Sequence, residues 1–183
     1  MSSCLRSEEG VILIYSAFLL VLLLVVAALV VDIGGLRLDR RVDRMTTDIA
    51  ATAGAGSLNP FGAGDAQEAC QVAWEYALQN LGSPAVDSPP NCSLLSTPCD
   101  AMVARSTSGV AGEYTITITQ PVPDGDPLMG SQSPDPDVDG SACQRIGVKI
   151  ERTRSYTFAR VAGFDEGTTS VASVARIGPG SGT

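Results

Sequence analysis

The stretch DPDVDG, Asp135 to Gly140, places three carboxylates at alternate positions ahead of a glycine. That spacing matches the first half of a calcium loop. There a curled backbone aims alternate side chains at one cation, and glycine permits the sharp turn that follows. Asp135, Asp137 and Asp139 are the candidate metal ligands, and calcium is the one cofactor the sequence suggests. The match ends at Ile146, which stands where an EF-hand requires a bidentate glutamate. The competing reading is a solvated acidic loop between strands, joined by Asp124 and Asp126.

Cysteines are the second reactive set. Cys4 lies apart, and Cys70, Cys92, Cys99 and Cys143 follow a long apolar segment. Four on one side suit two disulfides in an oxidising compartment. Three pairings are open. Cys92–Cys99 as a local closure with Cys70–Cys143 tying a helix to a strand is the favoured one, and four buried free thiols are the alternative. No C-x2-C spacing and no histidine occur, which argues against zinc. Lack of histidine also removes the commonest general base. There is no G-x-S-x-G, and the lone Lys149 has no serine at motif spacing. The chain does not read as an enzyme. A net charge of −8 without a dense basic patch argues against nucleic acid as a partner.

These residues need elements to position them. Val11 to Val31 carries no charge. As a helix it spans roughly 30 Å, the thickness of a bilayer core, and is too long for a cleaved secretory signal. Beyond it, Leu38, Val42, Met45, Ile49, Thr52 and Gly56 recur in steps of four and three, a helical stripe. Arg40–Asp43 and Arg44–Asp48 are expected to pair on a wet face. The small residues of AATAGAGS, Ala50 to Ser57, allow close approach by another helix or a sheet, and Asn59-Pro60 stops the helix. A second helix is predicted from Asp65 to Leu81, capped by Asp65 and ended by Gly82, with Ala66, Cys70, Ala73, Ala77 and Leu81 inward and Trp74 as a packing residue. Residues 83–112 read as a loop. EYTITITQ, RIGVKIERT and TTSVASVARI alternate as strands, with a turn closed by Gly163 between the last two.

The expected fold is α+β: a transmembrane helix continuing as a stalk, then a second helix on an antiparallel sheet of about three strands. The expected organisation is a short cytoplasmic leader at 1–10, a span at 11–31, a stalk at 32–58 and an extracytoplasmic domain at 59–183 with a disordered tail. Orientation rests on a conflict. Arg37, Arg40, Arg41 and Arg44 after the span outnumber Arg6 before it, which would put the domain in the cytoplasm. The four cysteines put it outside and carry more weight, because long domains translocate largely regardless of charge.

The N-terminal third resembles TadE/TadG-like proteins of the Flp (tight adherence) pilus system. The resemblance rests on a glycine before the span (Gly10), V-D-x-G after it (Val31, Asp32, Gly34), an arginine-rich helix, and D-x-A-A-x-A-G-A beginning at Asp48, Ala50 and Ala51. The later CQRIGVKIERTRSYTFARVAGF and TTSVASVARI look like the family's C-terminal pattern. The resemblance implies a single-pass inner-membrane protein with its C-terminal domain outside. It also implies a minor or pseudopilin-like part in pilus assembly, alongside other pilus subunits and the assembly platform. Gly10 is the candidate cleavage site by analogy with pilins of that system. Tyr15 stands where those pilins carry a glutamate, which favours the unprocessed TadG-like type. A rival reading, from another class, is a membrane-anchored adhesin or ligand-binding module that uses calcium.

Overall fold

The computed structural model describes residues 6–58, 66–95, 99, 102–129, 141–156 and 158–177. Asp135, Asp137 and Asp139, the Asn59-Pro60 stop, the Asp65 cap, Cys4 and the glycine-rich tail lie outside them.

Helix α1 runs without a break over Arg6–Gly56, so it takes in the second half of the segment expected to be a leader. No proline interrupts it. It holds an eighteen-residue window of mean hydropathy 3.0, none of it buried, and is long and apolar enough to cross a membrane. Gly34 and Gly35 sit within it, and nothing lies within 4 Å of a Cβ added at either. Packing does not demand glycine there.

Helix α2, Ala66–Asn80, buries Ala66, Ala69, Cys70, Ala73, Trp74 and Ala77, the expected stripe widened by its neighbours. Its end is closed by Gly82 at φ 79°, with the Ser83 N–H donating to the Leu78 carbonyl at 2.8 Å. That is the left-handed closure a glycine permits.

Five antiparallel strands follow, β1 (Val86–Ser88), β2 (Ser106–Ala111), β3 (Tyr114–Thr119), β4 (Arg145–Ser155) and β5 (Glu166–Arg176), in the spatial order of the chain. Three were expected. The two extra strands fall in the segment read as a loop. The inward residues of β2 are Thr107, Gly109 and Ala111, too small to register as apolar alternation. They are small for a reason. A Cβ on Gly109 would come within 2.7 Å of both the Trp74 ring and Pro90. The indole therefore packs directly against the sheet at that point.

The strand register builds rows across the inner face: Thr107–Ile118–Val148, then Gly109–Ile116–Ile150, then Ala111–Tyr114–Arg152. Ile116, Ile118, Ile146, Val148 and Ile150 are fully buried. Ala50, Ala51 and Ala55 of α1 and the alanines of α2 cover them. Gly54 is where α1 comes closest to α2 and the sheet. A Cβ there would meet Ala69, Ala73 and Ile146 at 3.0 Å each. Large side chains from the sheet thus meet small ones from the helices, as close packing requires.

The disulfides are Cys70–Cys92 and Cys99–Cys143. All four expected cysteines pair, but the favoured pairing is corrected. Cys92 begins a 3-10 turn, Cys92–Leu95, whose Cys92 and Leu95 are buried in the same core as Cys70 of α2, so Cys92 is committed there rather than to Cys99. Cys99 then reaches Cys143, in the turn that precedes β4.

By internal contacts the chain divides into two units. One holds α1 up to Leu38 with Ser155–Gly167, and the other holds Asp39–Arg154 with the segment from Thr168 onward.

Candidate functional site

In the second unit, the α1 residues facing the sheet are Asp39, Asp43, Thr46, Thr47, Ala50, Ala51 and Ala55, all buried. This overturns the expectation of a wet face for Asp39 and Asp43, while Asp48 is exposed as expected. Their partners lie on β4. Arg152 Nη1 stands 3.0 Å from Asp39 Oδ1 and 3.9 Å from Asp43 Oδ1. Arg154 Nη1 takes the other oxygen of Asp39. Arg152 Nε donates to Glu113 Oε1 at 2.8 Å, and its guanidinium lies 5.0 Å from the centroid of the Tyr114 ring.

Geometry explains the match. Aspartates four apart on a helix are separated by about 6 Å along its axis, and arginines two apart on a strand by roughly 6.6 Å. A helix lying along β4 can therefore present both carboxylates to both guanidinia. The inner face of β4 is apolar at Ile146, Val148 and Ile150 and cationic at Arg152 and Arg154. The facing side of α1 changes in the opposite chain direction, from aspartate to alanine.

The expected Arg40–Asp43 and Arg44–Asp48 pairs are absent from the described ion pairs. Asp43 has turned inward to Arg152. Arg40, Arg41 and Arg44 are exposed, as is Asp48. The stripe of Val42 and Met45 is exposed too, at 42% and 61%. Ile49 is half-buried. In this unit α1 thus has three faces: aspartate and alanine against the sheet, arginine in water, and bare apolar side chains beside them.

Asp43 is the strained member of the cluster. Its Oδ2 receives a long bond of 3.5 Å from the Thr169 hydroxyl, and its buried Oδ1 accepts no hydrogen bond among the described residues. Burial pushes its carboxyl above the ordinary range, Arg152 pulls it back, and Asp39 adds to the rise. A carboxyl with a raised folded pKa holds its proton more tightly folded than unfolded. Its charge therefore costs stability above the folded pKa, and the cost disappears as pH falls toward the unfolded value of 3.8. Unfolding followed against pH should show the parent gaining on Asp43→Asn as the solution is acidified through that window. Parallel curves would refute this.

The motif residues of the N-terminal third fall into different environments. Ala50 and Ala51 are fully buried in the core. Val31, Gly34, Asp48 and Gly10 are exposed. Asp32, in the first unit, accepts the backbone N–H groups of Phe158 and Ala159 at 3.1 and 2.8 Å. Among the described residues no group of three or more His, Cys, Asp or Glu is arranged to hold a metal ion.

Sequence reasoning missed Glu113, Tyr114, Arg152 and Arg154 as a set. The available signal was two aspartates at helical spacing and two arginines at strand spacing. Comparison of the chain with family models, curated proteins and solved structures finds no match.

Proposed function

We propose that this protein is a membrane-anchored structural component, minor or pseudopilin-like, of a Tad/Flp-type pilus or a related secretion machine. The observation that carries the reading is the division of labour on α1. One face is committed to the sheet through the aspartate–arginine cluster and the alanines. The stripe of Val42 and Met45 is left uncovered beside exposed arginines. A monomer gains nothing from exposing that stripe, whereas a helix that packs on partner helices requires one. The apolar helix and the two disulfides support a single pass with the domain in an oxidising compartment, hence an inner-membrane protein with a cytoplasmic N-terminus. The Val31-Asp32-x-Gly34 and Asp48-x-Ala50-Ala51 resemblance supports the choice of this system.

The test introduces Val42→Glu and Met45→Glu together in the full chain. Both positions are exposed, so folding stability should stay within about 0.5 kcal/mol. Capture of the assembly platform and of other pilus subunits by crosslinking should be lost, and piliation with it. If piliation survives deletion of the protein unchanged, the assembly reading is wrong, and a loss of adherence with piliation intact favours the adhesin or ligand-binding reading.

A further inference from the structure

The first unit contains an arrangement that assembly does not call upon. Asp32 is the first charged residue after the apolar stretch and so marks its edge. Its carboxylate accepts the N–H groups of Phe158 and Ala159, which fastens the connection between β4 and β5 to that level of the helix. The connection is closed on itself. Tyr156 N–H donates to the Asp165 carbonyl at 3.0 Å and Phe164 N–H to the Ala159 carbonyl at 3.1 Å, around Gly163 at φ 87°.

Phe158 and Ala159 then line a groove of about 330 Å³ with Val21, Leu24, Val25, Ala28 and Leu29. Those helix residues precede Asp32 by three to eleven positions, which is roughly 5–16 Å along the axis. In a helix that crosses a bilayer they lie at the depth of hydrocarbon. Phe158 is 46% exposed and Phe164 is 64% exposed. Two bare phenylalanines on one short connection are costly in water and favourable at a membrane interface. Charge agrees with this placement. Arg37 follows Asp32 by five residues, about 7.5 Å toward the headgroups. Among the described residues Arg160 is held only by an exposed contact of 3.7 Å to Asp165, weak enough to yield to a phosphate.

We infer that the Ser155–Gly167 connection is a membrane-interface anchor, and that the groove between Phe158 and α1 takes one acyl chain of a phospholipid whose phosphate meets Arg160. This rests on the membrane-span part of the proposed function and on nothing in its assembly part.

The test uses the full chain in vesicles of phosphatidylcholine, with and without bromine on the acyl chains. Trp74, buried in the other unit, supplies a constant background. Phe158→Trp and Phe164→Trp should each add blue-shifted emission, most of which brominated lipid removes. Asp32→Ala in the Phe158→Trp background should restore a large part of that emission by releasing the connection. Leu24→Trp reports the span itself. Quenching at Leu24→Trp with water-like, unquenched emission at Phe158→Trp overturns the anchor alone. No quenching at Leu24→Trp overturns both the span and the anchor. Unchanged quenching after Asp32→Ala overturns the fastening by Asp32.

Discussion

Replacing Arg152 with alanine is expected to destabilise the disulfide-containing unit by about 3 kcal/mol, the lower end of the range for breaking a largely buried ion pair. One guanidinium serves Asp39, faces Asp43, bonds to Glu113 and covers Tyr114. Among the described residues its removal leaves Asp43, at 1% side-chain exposure, without a facing cation and Asp39, at 12%, with Arg154 alone. Arg152→Lys should recover little, because an ammonium cannot reproduce the fork that reaches two carboxylates on opposite sides. Arg154→Ala makes the control. Its side chain is 49% exposed, so its loss should cost no more than about 1 kcal/mol. Denaturant unfolding of the full chain in detergent gives all three values. Equal costs at Arg152 and Arg154 would refute the account, as would full rescue by lysine.

The second large effect belongs to Cys99–Cys143. The bridge closes a separation of 44 residues, for which loop-closure entropy predicts about 4 kcal/mol. Cys70–Cys92, closing 22, should be worth about 3 kcal/mol. Paired serine substitutions, followed by unfolding with the remaining bridge intact, measure each. Peptide mapping without reduction checks the connectivity first. A peptide linking Cys92 to Cys99 would refute it.

Much of the scaffold was legible from spacing alone. Helix α2 lies within a residue of its predicted ends because the Ala66, Cys70, Ala73 and Ala77 stripe and Gly82 are strong local signals. The inward isoleucines of β3 and β4 alternate as expected. Two features hid. Strand β2 was invisible because Trp74 fills the space above it and forces its inward residues to be small. The faces of α1 were misassigned for a related reason. Isoleucine, valine and tryptophan from the sheet and α2 supply the bulk of the core, so the helix must contribute alanine, glycine, threonine and paired aspartate. A hydrophobicity pattern read on one helix cannot reveal which side its neighbours have already filled. The contact at Phe158 hid because it depends on Asp32, 126 residues earlier.

The same long separations set a timetable for biogenesis. Asp39 of α1 meets Arg154 only after 115 further residues have been made. At ~5–20 residues per second that interval is about 6–23 seconds. Throughout it α1 is complete, while the strand that must cover its aspartates and alanines has still to be made. A newly made chain therefore offers neighbouring helices an uncovered small-residue face before it offers them the apolar stripe. Premature pairing along that face is the hazard for the nascent protein. A chaperone that holds α1 apart until β4 arrives should raise the yield of folded chain, and should do so only when supplied during synthesis.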